Sequence, residues 1–367
     1  MRQHYVDWIR NLCILFLFVF HTARFFNDDA TATSFYLKGR ENTFSTILVY
    51  ASSFWFTPLL FTVAGMSALF VLRRRTAGYF AKERTMRLAV PFLFGCLVIV
   101  PPQSYYALRF HEGYDGTYLE FLRSYFTDFT DWDPLTGLSP AHLWFIVFLF
   151  VMSVALLPVM RWTVRREYSP RWMRDPRLLF AGCAALAALS LLPAPGGKSL
   201  FVSAGYFLLG FFIATDEAII RGVERHRYVF GAIALAGTAG IVAEEATVGR
   251  QTDLLATLWH HPVHWAVILA VLGFARRHLN RPDPVITYLT QASFPIYIVH
   301  QTYLVAVAYY VFRISDHGAG PFLAIALTAL ALSVATYEIN RRYNPARALF
   351  GLRARRPTAA PTPVAKG

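Results

Sequence analysis

Charged residues are scarce in this sequence. Only 16% of the 367 residues are Asp, Glu, Lys or Arg, against 56% hydrophobic residues. A soluble chain of this length needs more charge to coat its surface, so a pair of ordinary soluble domains is excluded. Cysteine is also rare. Cys13, Cys96 and Cys183 each sit alone inside an apolar run, without the spacing of a metal site or a disulfide framework, so buried thiols are the default. Short alternating apolar blocks and internal repeats are missing as well. Acidic residues number 22 against 35 Lys and Arg, leaving a net charge of +13. In a soluble protein that excess would suggest nucleic acid; here the placement of the charge argues against a nucleic-acid partner.

What is present is a series of long apolar runs, the length that a ~30 Å hydrocarbon core demands of a helix. They fall near 8–26, 44–72, 88–108, 142–160, 178–193, 199–214, 229–245, 258–275, 286–313 and 321–340. The expectation is an all-α integral membrane protein of about ten transmembrane helices, one domain over 1–345 and a basic, Pro-rich, disordered tail over 346–367. The first run has no small-residue cleavage site after it; Arg24 and Phe25 stand there instead, which reads as a retained anchor. With ten spans, 27 of the 35 Lys and Arg residues fall on the side of the N-terminus and six in the opposite loops. The positive-inside rule then predicts cytoplasmic N- and C-termini and membrane lipids as surroundings.

Several ionisable residues interrupt the apolar runs. Arg10 and His21 are eleven positions apart, or 1100° of helix, so they share one face about 16 Å apart along the axis. Asp7 lies near the same stripe. Ionisable groups in a span usually face a cavity or a partner helix; the plainer alternative is a snorkelling Arg10 and a His21 bonded to a carbonyl. Eight of the eleven histidines fall in the half of the protein opposite the N-terminus. His142 opens the fourth span there, and His300 lies at a similar depth in the ninth. Imidazoles exchange protons near neutral pH, so acid–base work in that half is the expectation. His260 and His264 have an i, i+4 spacing, but no acid follows as a zincin requires and Pro262 interrupts the turn, so no metal is assigned. Glu244, Glu245 and Glu338 read as structural partners.

Arg84 and Arg87, i and i+3 at the start of the third span, suit bidentate phosphate binding, although topology alone accounts for most basic residues nearby. The 109–141 loop mixes Asp115, Glu120, Asp128, Asp131 and Asp133 with Tyr114, Tyr118, Tyr125, Phe129 and Trp132. It reads equally as a solvated loop or as a sugar-binding surface.

These features together resemble the membrane acyltransferase 3 family. HYVDWIRNLCILFLFVFHTARFF carries an Arg–ten residues–His pattern as Arg10 and His21. Arg84 and Arg87 form an Arg-x-x-Arg pattern, and HLWFIVFLFVM (142–152) and SFPIYIVHQ (293–301) resemble the family's fourth-span and late-chain regions. The resemblance covers nearly all of 4–345. It implies transfer of an acetyl or succinyl group from a cytoplasmic acyl-CoA-type co-substrate to a hydroxyl of an extracytoplasmic glycan, in a bacterial inner membrane and with no bound cofactor. His21 would then be general base or acyl acceptor, Arg10, Arg84 and Arg87 would hold the donor, and Asp7, His142 and His300 would line the cavity. A transporter or flippase for a sugar or lipid-linked substrate would use intramembrane Arg and His equally well.

Overall fold

The computed structural model describes residues 3–28, 35–127, 137–249 and 254–354, and every regular element among them is a helix. The helices used below are α1 His4–Ala23, α2 Thr43–Ser52, α3 Phe56–Leu72, α4 Ala77–His111, α5 Tyr118–Thr127, α6 Trp144–Ala155 and α7 Leu157–Arg165. They continue with α8 Leu178–Ser190, α9 Leu200–Ile213, α10 Glu217–Arg225, α11 Arg227–Thr247 and α12 Leu254–Leu279. The last are α13 Pro284–Val311, α14 Ala319–Asn340 and α15 Asn344–Leu349.

Helix starts follow from capping chemistry. The side chains of Asn42, Thr76, Ser199, Asp216 and Asp283 each accept a hydrogen bond from a first-turn N–H, replacing partners those donors lack inside the helix. In α4, π-helical turns at Thr85–Ala89 and Gly95–Ile99 stand just ahead of Pro91 and Pro101. Proline has no N–H to donate four residues back, and the widened turn absorbs the break. Pro262 and Pro295 are instead carried inside continuous helices.

All ten expected spans are helical, but not all are long enough to cross a bilayer. Among the described residues, eight helical segments have the length and apolarity required. The fourth expected span is broken, with α6 and α7 meeting at a 50° bend, and counting that pair as one span gives nine. The fifth, α8, reaches only about 20 Å at ~1.5 Å per residue, short of a ~30 Å core. The count of ten was inferred from apolar runs, which record composition but not where a helix bends. Residue 345 is not a structural boundary: α15 runs across it, and Gly351 closes the turn at φ 65°, a conformation that favours glycine. Positions 355–367 lie outside the described residues.

The core is organised around α1, which packs against α2, α3, α12, α13 and α14. Helices α1 and α13 are mostly buried, whereas α11 and α14 show most of their surface outward. The closest helix pair is α3 and α9. A Cβ on Gly65 would collide with the Phe207 carbonyl, and one on Gly210 with the backbone of Thr62, so the two backbones touch through reciprocal glycines. Gly65→Ala should therefore destabilise the protein by about 1–3 kcal/mol, the usual range for overpacking. Gly78→Ala, where nothing lies within 4 Å, is the control. Thermal unfolding in detergent would show a lowered midpoint for the first and none for the second; equal midpoints would refute the close contact.

Candidate active site

His21 stands in the last turn of α1, His142 in the short turn Ala141–Leu143 that leads into α6, and His300 in the middle of α13. The fold brings all three together. The His21 and His300 rings lie 5.1 Å apart, and those of His142 and His300 lie 5.0 Å apart. His142 and His300 are buried, at 6% and 1% exposure, while His21 is half-buried.

Hydrogen bonds to carbonyls set two of the tautomers. His142 Nε2 lies 2.8 Å from the Ile298 carbonyl, and His300 Nδ1 lies 2.5 Å from the Tyr297 carbonyl. A carbonyl only accepts, so both nitrogens carry the proton. The opposite nitrogens, His142 Nδ1 and His300 Nε2, are then lone-pair acceptors in the neutral rings. Both are buried without a hydrogen-bond partner among the described residues. A buried acceptor left bare costs stability, and both lone pairs remain open to a hydrogen-bond donor. Tyr297 completes the frame by donating its hydroxyl to the His142 carbonyl at 2.5 Å.

His21 Nδ1 makes a 2.6 Å hydrogen bond with the hydroxyl of Tyr36, whose ring also carries the Arg24 guanidinium 5.0 Å from its centroid. When Nδ1–H donates to the phenol oxygen, Nε2 keeps its lone pair. Tyr36 is held in turn through its own carbonyl, 3.1 Å from His111 Nε2. Sequence reasoning missed Tyr36 and His111 in these roles. A tyrosine in a loop carries no periodicity signal, and only the path of 35–42 back over α1 brings it to His21.

At the other end of α1, Arg10 is ion-paired with Asp7 at 2.9 Å. Asp7 is thus separated from the histidines by about 21 Å of helix, and the structure does not bring it to them. Arg84 lies within electrostatic reach of Arg10. Its guanidinium sits 4.7 Å from the Phe80 ring centroid, and its buried Nε has no hydrogen-bond partner among the described residues. Arg87 is differently engaged, with Glu83 at 3.3 Å and the Gly351 carbonyl at 3.1 Å. Arg84 and Arg87 stay within electrostatic reach of each other but make different contacts, the π-turn starting at Thr85 changing the angular spacing beyond Arg84.

A family model described as an acyltransferase domain, that of the acyltransferase 3 family, matches residues 3–338. The chain belongs to this family. No curated protein matches it, and no solved structure does. The family match makes the protein a membrane acyltransferase, and so decides for an enzyme over the transporter reading. In this acyltransferase, the aromatic side chains in the described part of the 109–141 loop form a cluster with Tyr105 of α4. Tyr105, Tyr114, Tyr118, Phe121 and Tyr125 pack on one another, and Tyr125 is fully buried. The Glu120 carboxylate accepts from the Thr117 N–H at 2.7 Å and so closes the start of α5. Asp128, Phe129, Asp131, Trp132 and Asp133 lie outside the described residues.

Among the described residues, the second histidine group forms no cluster with the makings of a metal site. His260 Nε2 faces the Glu244 carboxylate at 3.2 Å, His261 bonds the Tyr206 hydroxyl at 3.2 Å, and His264 stacks on Phe54. Glu244 and Glu338 are held by protein partners, Glu338 by the Tyr288 hydroxyl and Arg341.

Proposed function

We propose that the enzyme moves an acetyl or succinyl group from an acyl-CoA-type donor on the cytoplasmic side to a hydroxyl of an extracytoplasmic glycan. The observation that carries this reading is the division of α1, with guanidinium groups of Arg10 and Arg84 at one end and three converging imidazoles at the other. Guanidinium groups suit the phosphates of the donor. The positive-inside distribution of Lys and Arg favours the Arg10 end as cytoplasmic. In this topology the protein lies in a bacterial inner membrane with both termini on the cytoplasmic side.

In the transfer step, the hydroxyl oxygen of the acceptor forms a bond to the acyl carbon as the carbon–sulfur bond of the thioester breaks. The hydroxyl proton passes to an imidazole, His21 in this assignment, and is returned to the leaving thiolate. Should His21 carry the acyl group first, its own nitrogen forms that bond and the acceptor hydroxyl then displaces it. His142 Nδ1 or His300 Nε2 accepts the hydroxyl hydrogen bond and orients the oxygen. The extended arm of the donor bridges the ~16 Å between Arg10 and His21.

Three short segments, HLWF (142–145), SFPIYIVHQ (293–301) and YEINRR (337–342), resemble stretches of glucans biosynthesis protein C, which is implicated in succinylating periplasmic glucans; the likeness is one of motifs and not of the whole chain. Succinyl and a glucan are therefore the first pair to test. Proteoliposomes holding succinyl-CoA or acetyl-CoA inside and glucans outside should yield acylated glucan by mass spectrometry. Glucans crossing or remaining unmodified in both cases would reject the donor and acceptor assignment. In the same assay, Tyr36→Phe should reduce turnover about tenfold, the value of a hydrogen bond to a group that becomes charged. An unchanged rate would show that Tyr36 does not orient His21.

A further inference from the structure

One well-formed cavity of the described protein lies away from the histidines. It is a cleft of about 830 Å³ between α1, α2, α11 and α12. It exists because α11 packs along α12 and touches α2 but hardly meets α1. Its walls are apolar, with Ile9, Leu12 and Phe16 on one side and Leu235, Val271 and Phe274 on the other. Leu12 and Leu235 are 46% and 77% exposed, so the cleft opens sideways, onto what in a membrane is hydrocarbon. Such walls offer almost nothing to a polar solute.

One end of the cleft is different. Phe274 lies between two basic side chains: the Arg227 guanidinium is 5.9 Å from its ring centroid, and His278 stacks on it at 6.4 Å. Arg227 donates to the Glu224 carbonyl, yet its Nε is buried with no hydrogen-bond partner among the described residues. The nearby carboxylates do not neutralise this rim, because Glu217 and Glu224 are both taken by Arg276. Tyr228, 64% exposed and packed edge-on against Phe274, is the kind of ring that sits at headgroup level. Basic pockets between transmembrane helices are known to take anionic headgroups.

We infer that this cleft is a binding site for an anionic phospholipid, with its phosphate at Arg227 and His278 and an acyl tail lying along α1 in the apolar trough. The charge at the rim selects the headgroup, and the depth of the trough selects a chain rather than free phosphate. The tail lies on Phe16, whose ring contacts Phe20, which in turn contacts His21. The bound lipid therefore braces the helix that carries the candidate active-site histidine.

Native mass spectrometry of the full-length, delipidated protein tests this, with phosphatidylglycerol and phosphatidylcholine of identical chains as the probes. The wild type should retain phosphatidylglycerol in preference. Arg227→Gln should lower that preference about fivefold, the factor expected for one basic group at a membrane surface, and Arg227→Lys should keep it. Gly231→Leu, which fills the trough without touching the rim charge, should lose both lipids and keep the unfolding transition. No preference in the wild type, or an unaltered one in Arg227→Gln, overturns the inference. So does unaltered retention in Gly231→Leu. Displacement by inorganic phosphate, or stronger retention of a polyprenyl phosphate than of phosphatidylglycerol, replaces the proposed occupant and equally overturns it. None of these outcomes depends on the acyl donor or acceptor.

Discussion

Replacing His21 with alanine should abolish acyl transfer while the protein still inserts, accumulates and unfolds at a near-normal temperature. The loss expected for removing a positioned base is about 10²–10⁴-fold in rate. Folding should tolerate the change, because His21 is half-buried and its hydrogen bond is to Tyr36 in a loop, not to a neighbouring helix. The comparison with His142→Gln is informative. His142 holds the Ile298 carbonyl, so its loss should disturb the junction of α6 and α13 as well as activity. The measurement is the rate of acyl transfer to glycan, set beside the unfolding midpoint of each variant. Activity of His21→Ala within threefold of wild type would remove His21 from the chemistry.

Arg84→Lys should weaken donor binding by about tenfold or more, since a charge-assisted hydrogen bond contributes about 1.5–3 kcal/mol and lysine lacks the planar fork. The charge that topology needs is retained. The effect should fall on the KM for the acyl-CoA donor and leave kcat nearly intact, because binding at the Arg10 end is far from the reacting atoms. Arg87→Lys should do less to the donor, its side chain being committed to Glu83 and to the Gly351 carbonyl. Equilibrium binding of a non-hydrolysable acyl-CoA separates the two. Equal affinity in wild type and Arg84→Lys would leave Arg84 as a topogenic residue only.

The sequence by itself determined that this is an all-helical membrane protein. Apolar runs of bilayer length have few other solutions, since every backbone polar group must be bonded within its own helix. It also determined that Arg10 and His21 share a face of α1, because 3.6 residues per turn leaves no freedom over eleven positions. The common depth of His21, His142 and His300 could be counted inward from loop edges. What the count could not supply was direction around each helix axis. Helices α1 and α13 are separated by most of the chain, and only their packing decides that His300 meets His21 rather than lipid. The bend between α6 and α7, the short α8 and the two π-turns of α4 were equally out of reach, because an apolar run looks the same whether the helix through it is straight or broken. The tertiary structure also gave Arg84 and Arg87 different contacts, although their i, i+3 spacing suggested a pair. Arg87 meets the distant Gly351 carbonyl, a partner set by packing across the molecule, whereas Arg84 lies on the face of Phe80, one turn back in its own helix.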